Sequence, residues 1–218
     1  MLRFLLKLII CLALAIAAGS ILLAVRSGDI IYTAYEWISP ARFHQFDNLI
    51  HTVAAAHELD PMLMKAVVWQ ESRFDPRKIG SAGERGLMQV SERAAREWAR
   101  ETQIANFRSE DLLDPKTNLE AGAWYLRRAF QHWEHQKKPA IFALAEYNAG
   151  KSRVDRWIRA AVQKTKGQPV TAHSFQESID FPSTARYVRT ILARYDFYKR
   201  RGPLIAEEDG STERVGRN

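Results

Sequence analysis

Apolar positions in this chain form one unbroken run near the N-terminus and then a series of helical stripes. The run is LIICLALAIAAGSILLAV, residues 8–25, eighteen positions without a charge, bounded by Lys7 and Arg26. About 20 helical residues cross a hydrocarbon core of about 30 Å, so the run reads as a transmembrane helix. A cleaved secretory signal is the competing reading, with an apolar region of about 7–15 residues ending at a small-residue site. Ala15-Ile16-Ala17 has that form, but Ile21, Leu22, Leu23 and Val25 follow where a cleaved signal turns polar. Arg3 and Lys7 precede the run, whereas Arg26 is accompanied by Asp29. That bias keeps the N-terminus cytoplasmic and places the remainder outside the cytoplasm.

Beyond the run the period is helical throughout. Residues 44–58 place Phe46, Leu49, Ile50, Val53, Ala54 and His57 on one stripe. Asp60-Pro61 supplies an N-cap and a first-turn proline for a helix to about Ser72. A loop holding Pro76, Gly80, Gly83 and Gly86 follows, and Ser91 starts a helix that turns Ala94, Ala95 and Trp98 inward. Asp114-Pro115 opens a longer helix bearing Leu119, Gly122, Trp124, Tyr125, Leu126 and Phe130. Pro139 opens an apolar helix that stops at Tyr147-Asn148-Ala149-Gly150. Ser152 is positioned to cap a helix carrying Val154, Trp157 and Ile158; residues 164–182 read as a polar loop. Residues 184–200 close the fold with Tyr187, Val188, Ile191, Leu192 and Tyr195. The expected architecture is all-α, with an anchor at 1–26, a juxtamembrane segment at 27–46, a folded domain at 47–200 and a polar tail at 201–218.

Composition narrows the function classes. With 218 residues, 46% hydrophobic and 26% charged, the chain is neither disordered nor collagen-like. Its one cysteine, Cys11, lies in the apolar run, which excludes a disulfide scaffold and a cysteine-built zinc site. The formal charge of +7 suits an anionic partner: nucleic acid, phospholipid or an acidic polymer. Arg3, Lys7 and Arg26 account for three of those charges, leaving +4 on residues 27–218. An extracytoplasmic domain argues against nucleic acid. The six histidines, His132 and His135 among them, show no spacing with carboxylates that suggests a metal site, and the reading calls for no metal or cofactor.

Glu71 is the most informative residue. Its helical neighbours at i−3, i−4 and i−7 are Val68, Val67 and Met64, so a carboxyl extends an apolar stripe at a helix C-terminus. Desolvation and the helix end both disfavour the anion and raise the carboxyl pKa, as a general acid requires. A solvated glutamate paired with Arg73 or Arg77 is the alternative.

Three blocks decide between these readings: Glu71-Ser72-Arg73-Phe74, then Gly83-Glu84-Arg85-Gly86-Leu87-Met88-Gln89, then Ala145-Glu146-Tyr147-Asn148-Ala149-Gly150. With Asp111-Leu112, Asp114-Pro115, Asn118, Gly122 and Tyr125-Leu126 between them, the chain from about 48 to 195 resembles the soluble-type lytic transglycosylases, lysozyme-like enzymes of peptidoglycan. The resemblance implies a lysozyme-like helical domain in which Glu71 is the lone catalytic acid/base. It implies that Met88, Gln89, Tyr147 and Asn148 contact substrate. It also implies peptidoglycan strands as partner; together with the anchor and its charge bias, this gives a single-pass inner-membrane protein with its domain in the periplasm.

Departures from the family pattern leave two further readings open. Many relatives have serine where this chain has Gly80, alanine where it has Glu84, and a closing helix beginning E-T-R-x-Y-V where it has Ser183-Thr184-Ala185-Arg186-Tyr187-Val188. An inward Glu84 would activate water and give a muramidase-type hydrolase. The lost glutamate and arginine suit a catalytically weak wall-binding or scaffold module.

Overall fold

In the computed structural model, residues 2–26, 30–166 and 168–202 are described. Eleven α-helices and one 3-10 helix (Ser109–Leu113) are present among them: α1 (Leu2–Arg26), α2 (Ile30–Ile38), α3 (Pro40–His44), α4 (Asp47–Ala56), α5 (Pro61–Ser72) and α6 (Glu92–Glu101), then α7 (Pro115–Trp133), α8 (Pro139–Ala149), α9 (Lys151–Lys164), α10 (Ala172–Gln176) and α11 (Pro182–Arg201). Extended pairing among the described residues is confined to isolated bridges of Arg85 with Ile79 and with Val90. The expected polar tail lies, from residue 203 on, outside the described residues.

α5 is the buried axis of the domain. Asp60 caps it, its Oδ1 accepting from the Met62 amide at 2.8 Å, and Pro61 occupies the first turn. Every residue from Met62 to Trp69 is buried, because α4 and α11 pack against it. A helix apolar on all sides is stable only in such a position. Even its Lys65 is buried, held by Asp47 of α4 at 2.7 Å. α8 packs on α7, α9 and α11, and α6 on α7.

α1 stands apart from this core. Its span Phe4–Leu22 has mean hydropathy 2.5 and none of it is buried, so it is long and apolar enough to cross a membrane. The segment after it is more than a spacer. Glu36 of α2 is buried against Arg194 of α11, and Phe43 of α3 is buried edge-on to Phe74 with ring centroids 5.6 Å apart. The folded body therefore begins before residue 47.

Two local expectations need correction. Gly150, at φ 86°, is the N-terminal cap of α9, so Ser152 falls inside that helix. The stretch 164–182 contains α10, whose Phe175 is fully buried and stacks on Phe142 at 4.2 Å. One anchoring ring in five residues leaves no period to read.

Asn118 of α7 stitches the loop after α5 to the core. Fully buried, it accepts from the Met88 amide at 2.8 Å and donates to the carbonyls of Arg85 and Leu112 at 2.7 and 2.9 Å. A methyl on Gly86, at φ 75°, would come within 2.3 Å of Asn118 Nδ2. Asn118→Ala removes three buried hydrogen bonds together and is expected to cost about 2–4 kcal/mol. A thermal melt should read this as a drop of several degrees; an unchanged midpoint would mean the loop is held by other contacts.

Candidate active site

Glu71 projects from the last turn of α5 into a cleft that extends to both sides of it. On one side a cavity of about 540 Å³ is lined by Glu71, Glu84, Gln89, Tyr125 and Tyr147 among others. On the other, a cavity of about 460 Å³ is bordered by Glu71, Arg73, Arg186 and Tyr187. Lys78 and Asn148 border both, so the two are halves of one groove with the carboxyl at its middle.

The backbone just past Glu71 is strained. Arg73 and Phe74 have φ of 54° and 61°, left-handed values that side chains other than glycine rarely adopt. Packing imposes them. Phe74 is buried against Phe43, Arg42 of α3 donates to the Arg73 carbonyl at 3.2 Å, and the Arg73 guanidinium lies 3.6 Å from the Trp69 ring centre. The turn ends α5 at Ser72 and lets the chain leave without covering the groove.

Burial raises the Glu71 carboxyl from its ordinary 4.5 to about 7, and the negative Glu84 adds to the rise. A hydrogen bond from Tyr187 and the charges of Lys78 and Arg73 act in the opposite direction. Tyr187 Oη donates to Glu71 Oε1 at 2.6 Å, fixing one oxygen and leaving the other toward the groove. Lys78 donates to the Glu71 backbone carbonyl, which holds the loop against the helix end. A carboxyl balanced in this way exchanges a proton near neutrality.

Four of the five residues proposed from sequence border the groove. Gln89, at φ 47°, is clamped by its own amide, whose Nε2 donates to the carbonyls of Lys78 and Gly86 at 3.1 Å each. Tyr147 packs edge-on to Tyr125 at 5.8 Å and donates to the Met88 carbonyl at 2.9 Å. Burial and the neighbouring Glu71 push the hydroxyls of Tyr147 and Tyr187 well above their ordinary value, so both remain donors. Asn148 is exposed, its Oδ1 accepting from Thr184 Oγ1 at 2.7 Å.

Met88 is the correction. Its side chain is fully buried, and a Cβ on Gly122 would lie 2.5 Å from its sulfur. It packs beneath the groove, its amide held by Asn118 and its carbonyl by Tyr147.

Tyr187 was missed as a site residue because its helical stripe marks it as core. Its place in the closing-helix pattern was the available signal. Other conspicuous side chains serve the scaffold. His132 and Trp133 of α7 bond the two carboxyl oxygens of buried Glu146 at 2.7 Å each, and His57 meets Glu120 at 2.7 Å.

Comparison with known proteins matches residues 48–168 to the transglycosylase SLT domain. The soluble lytic murein transglycosylase of Escherichia coli K12 is 32% identical over 156 residues, which cover 71% of this chain and 23% of that protein. Membrane-bound lytic murein transglycosylase F of Desulfosudis oleivorans is 28% identical over 200 residues, covering 78% of this chain and 42% of that protein. The crystal structure of the 70 kDa soluble lytic transglycosylase of Escherichia coli superposes with a TM-score of 0.63 at 29% identity, over 74% of this chain and 26% of that one. The chain thus spans under half the length of these relatives.

Proposed function

The chain belongs to the transglycosylase SLT-domain family, matched over more than half of its length, and we propose from this that it is a membrane-anchored peptidoglycan lytic transglycosylase with Glu71 as its acid and base. The observation that carries the reading is Glu71 itself, a carboxyl of pKa about 7 in mid-groove with Tyr187 on one oxygen.

Protonated Glu71 gives its proton to the glycosidic oxygen between N-acetylmuramic acid and N-acetylglucosamine. The C1–O bond breaks and the N-acetylglucosamine side departs with a free hydroxyl. The acetamido carbonyl of the muramoyl residue bonds to C1 and holds the positive charge. Glu71, now a carboxylate, takes the proton from the C6 hydroxyl; O6 attacks C1, releases the acetamido oxygen and closes a 1,6-anhydro ring. Ordinary glycosidases divide these duties between two carboxylates. A single acid suffices when the substrate supplies the nucleophile, and a carboxyl near neutrality serves in both directions.

α1 would hold the enzyme in the inner membrane as an uncleaved anchor. Arg3 and Lys7 on its N-terminal side favour a periplasmic domain. The exported body, net +4 over residues 27–218, suits an anionic wall polymer.

Product analysis tests the reading. Glycan strands digested with the full-length protein in detergent should carry 1,6-anhydromuramoyl ends by mass spectrometry. Reducing ends would identify a hydrolase, and intact strands that pellet with bound protein would identify a wall-binding module.

A further inference from the structure

α2 has one face tied to the body and one face uncovered. Glu36 is its buried side, paired with Arg194 of α11. Ile31, Ala34, Tyr35 and Ile38 recur at i, i+3, i+4 and i+7, a single helical stripe centred about 150° around the helix from Glu36. All four are exposed, Ile31 by 68%, Tyr35 by 56% and Ile38 by 80%. No described element covers them. Because the Glu36 pair fixes the opposite face to α11, the stripe points away from the body.

The place of α2 in the chain limits what can cover it. Residue 26 ends α1 and residue 30 begins α2, a reach of at most about 14 Å even at full extension. α1 also packs on both α2 and α11. A helix that starts so close to the end of a membrane span begins at the lipid headgroups. Its Tyr35 suits that layer, where an aromatic ring sits in apolar surroundings and its hydroxyl stays wet.

Charge points the same way. The last turn of α11 carries Lys199, Arg200 and Arg201, all exposed, against Asp196 in the turn before. Arg201 Nη1 lies 3.4 Å from Glu36 Oε1, which sets this basic turn beside α2. An apolar stripe flanked by cations is the pattern of a helix lying on an anionic lipid surface.

We propose that α2 is a membrane-surface helix, its Ile31-Ala34-Tyr35-Ile38 stripe seated at the headgroup boundary and the basic end of α11 resting on anionic lipid. The inference rests on the anchoring part of the proposed function. It adds that the body is docked on the bilayer and does not swing on a tether. Such a stripe enters about 5–10 Å into the boundary between headgroups and acyl chains. α3 follows at once, and its Arg42 and Phe43 brace the turn after Glu71. The groove is thereby held at a set height above the membrane, where it meets the glycan nearest the lipid.

Depth-dependent fluorescence quenching tests this. Full-length protein is reconstituted in phosphatidylcholine vesicles containing phosphatidylglycerol, with an environment-sensitive fluorophore on one cysteine at a time. The positions are native Cys11 in α1 and, on a Cys11→Ser background, Ile38→Cys or Ile104→Cys, the last following α6 on the α7 side of the body. The Ile38→Cys label should be blue-shifted and quenched by shallow nitroxide lipids several-fold more than the Ile104→Cys label. Ala34→Glu, or exchange of phosphatidylglycerol for phosphatidylcholine, should each reduce that quenching. Equal quenching at the two positions, with Cys11 quenched by deep nitroxides, would overturn the docking and leave the anchor standing. An Ile38→Cys label shielded from aqueous iodide yet untouched by lipid nitroxides would assign the stripe to a protein neighbour and overturn it too. An unquenched Cys11 label would sink the anchor, and the docking with it.

Discussion

Glu71→Gln should lower peptidoglycan cleavage by about 100-fold or more while making the fold more stable above neutral pH. The amide fills the same volume but can neither donate a proton to the glycosidic oxygen nor recover one from the C6 hydroxyl. Stability should rise because the native carboxyl is held at about 7 against an ordinary 4.5. Below about pH 4.5 the carboxyl is protonated in folded and unfolded chains alike, and substitution changes little. As pH rises toward 7 the unfolded chain ionises first, so the native protein loses stability relative to the glutamine variant. Above 7 the difference levels off at about 3 kcal/mol, from about 1.4 kcal/mol per pKa unit. Thermal melts of the two proteins at pH 4, 6 and 8 would measure this gap. A gap that does not open with pH would remove desolvation as the cause of the raised pKa. Tyr187→Phe supplies a sign control: it deletes the donor that pulls Glu71 down, so the basic limb of the activity profile should move to higher pH. Activity of Glu71→Gln within a few-fold of the unsubstituted enzyme would refute the assignment.

Glu36→Ala should be the most damaging change outside the groove. Glu36 of α2 is 2% exposed and Arg194 of α11 is 0% exposed, and Arg201 Nη1 lies 3.4 Å from the same carboxylate. Arg194 also lies over the rings of Trp69, Phe197 and Tyr198, with centroids 4.1 to 4.9 Å away. Removing the carboxylate breaks one side of a buried ion pair, which typically costs about 3–5 kcal/mol. In a domain of this size that is a fall of roughly 10 °C in the melting midpoint. The double variant Glu36→Ala/Arg194→Met should recover part of the loss, because it removes the buried cation as well. The pair joins the anchor-proximal helix to the helix that carries Tyr187. The same segment supplies Arg42 and Phe43, which brace the strained turn after Glu71. Cleavage activity should therefore fall along with stability, even at temperatures where the variant remains folded. A melting midpoint within about 2 °C of the original would show that α2 is a passive linker.

Much of the helical framework was legible because burial of helices leaves a period of 3.6. Asp60-Pro61, Ser91 and Asp114-Pro115 begin helices as read, since capping is a local matter between a side chain and amides two or three residues on. α10 escaped, being one turn fixed by Phe175 alone. Glu71 could be singled out for the same local reason, a carboxyl continuing an apolar stripe. Met88 was assigned to the groove and is buried beneath it, whereas Tyr187 was read as core and is buried there, with its hydroxyl reaching Glu71. Both are apolar-looking members of a motif or stripe, and only the path of the chain decides which of them faces the groove.

The sequence by itself determined the apolar N-terminal helix, the all-helical body and the one acid whose position is unfavourable to its charge. These depend on composition within a few residues of each other. Tertiary structure alone decided what tunes that acid: Tyr187, 116 residues away, sets one oxygen, while Glu84 and Lys78 shift its charge from the loop. It also brought Glu84 into the space beside Gly80 and Glu36 into contact with Arg194, 158 residues on. Electrostatic and steric coupling depends on distance in space, and only close packing of remote segments creates it.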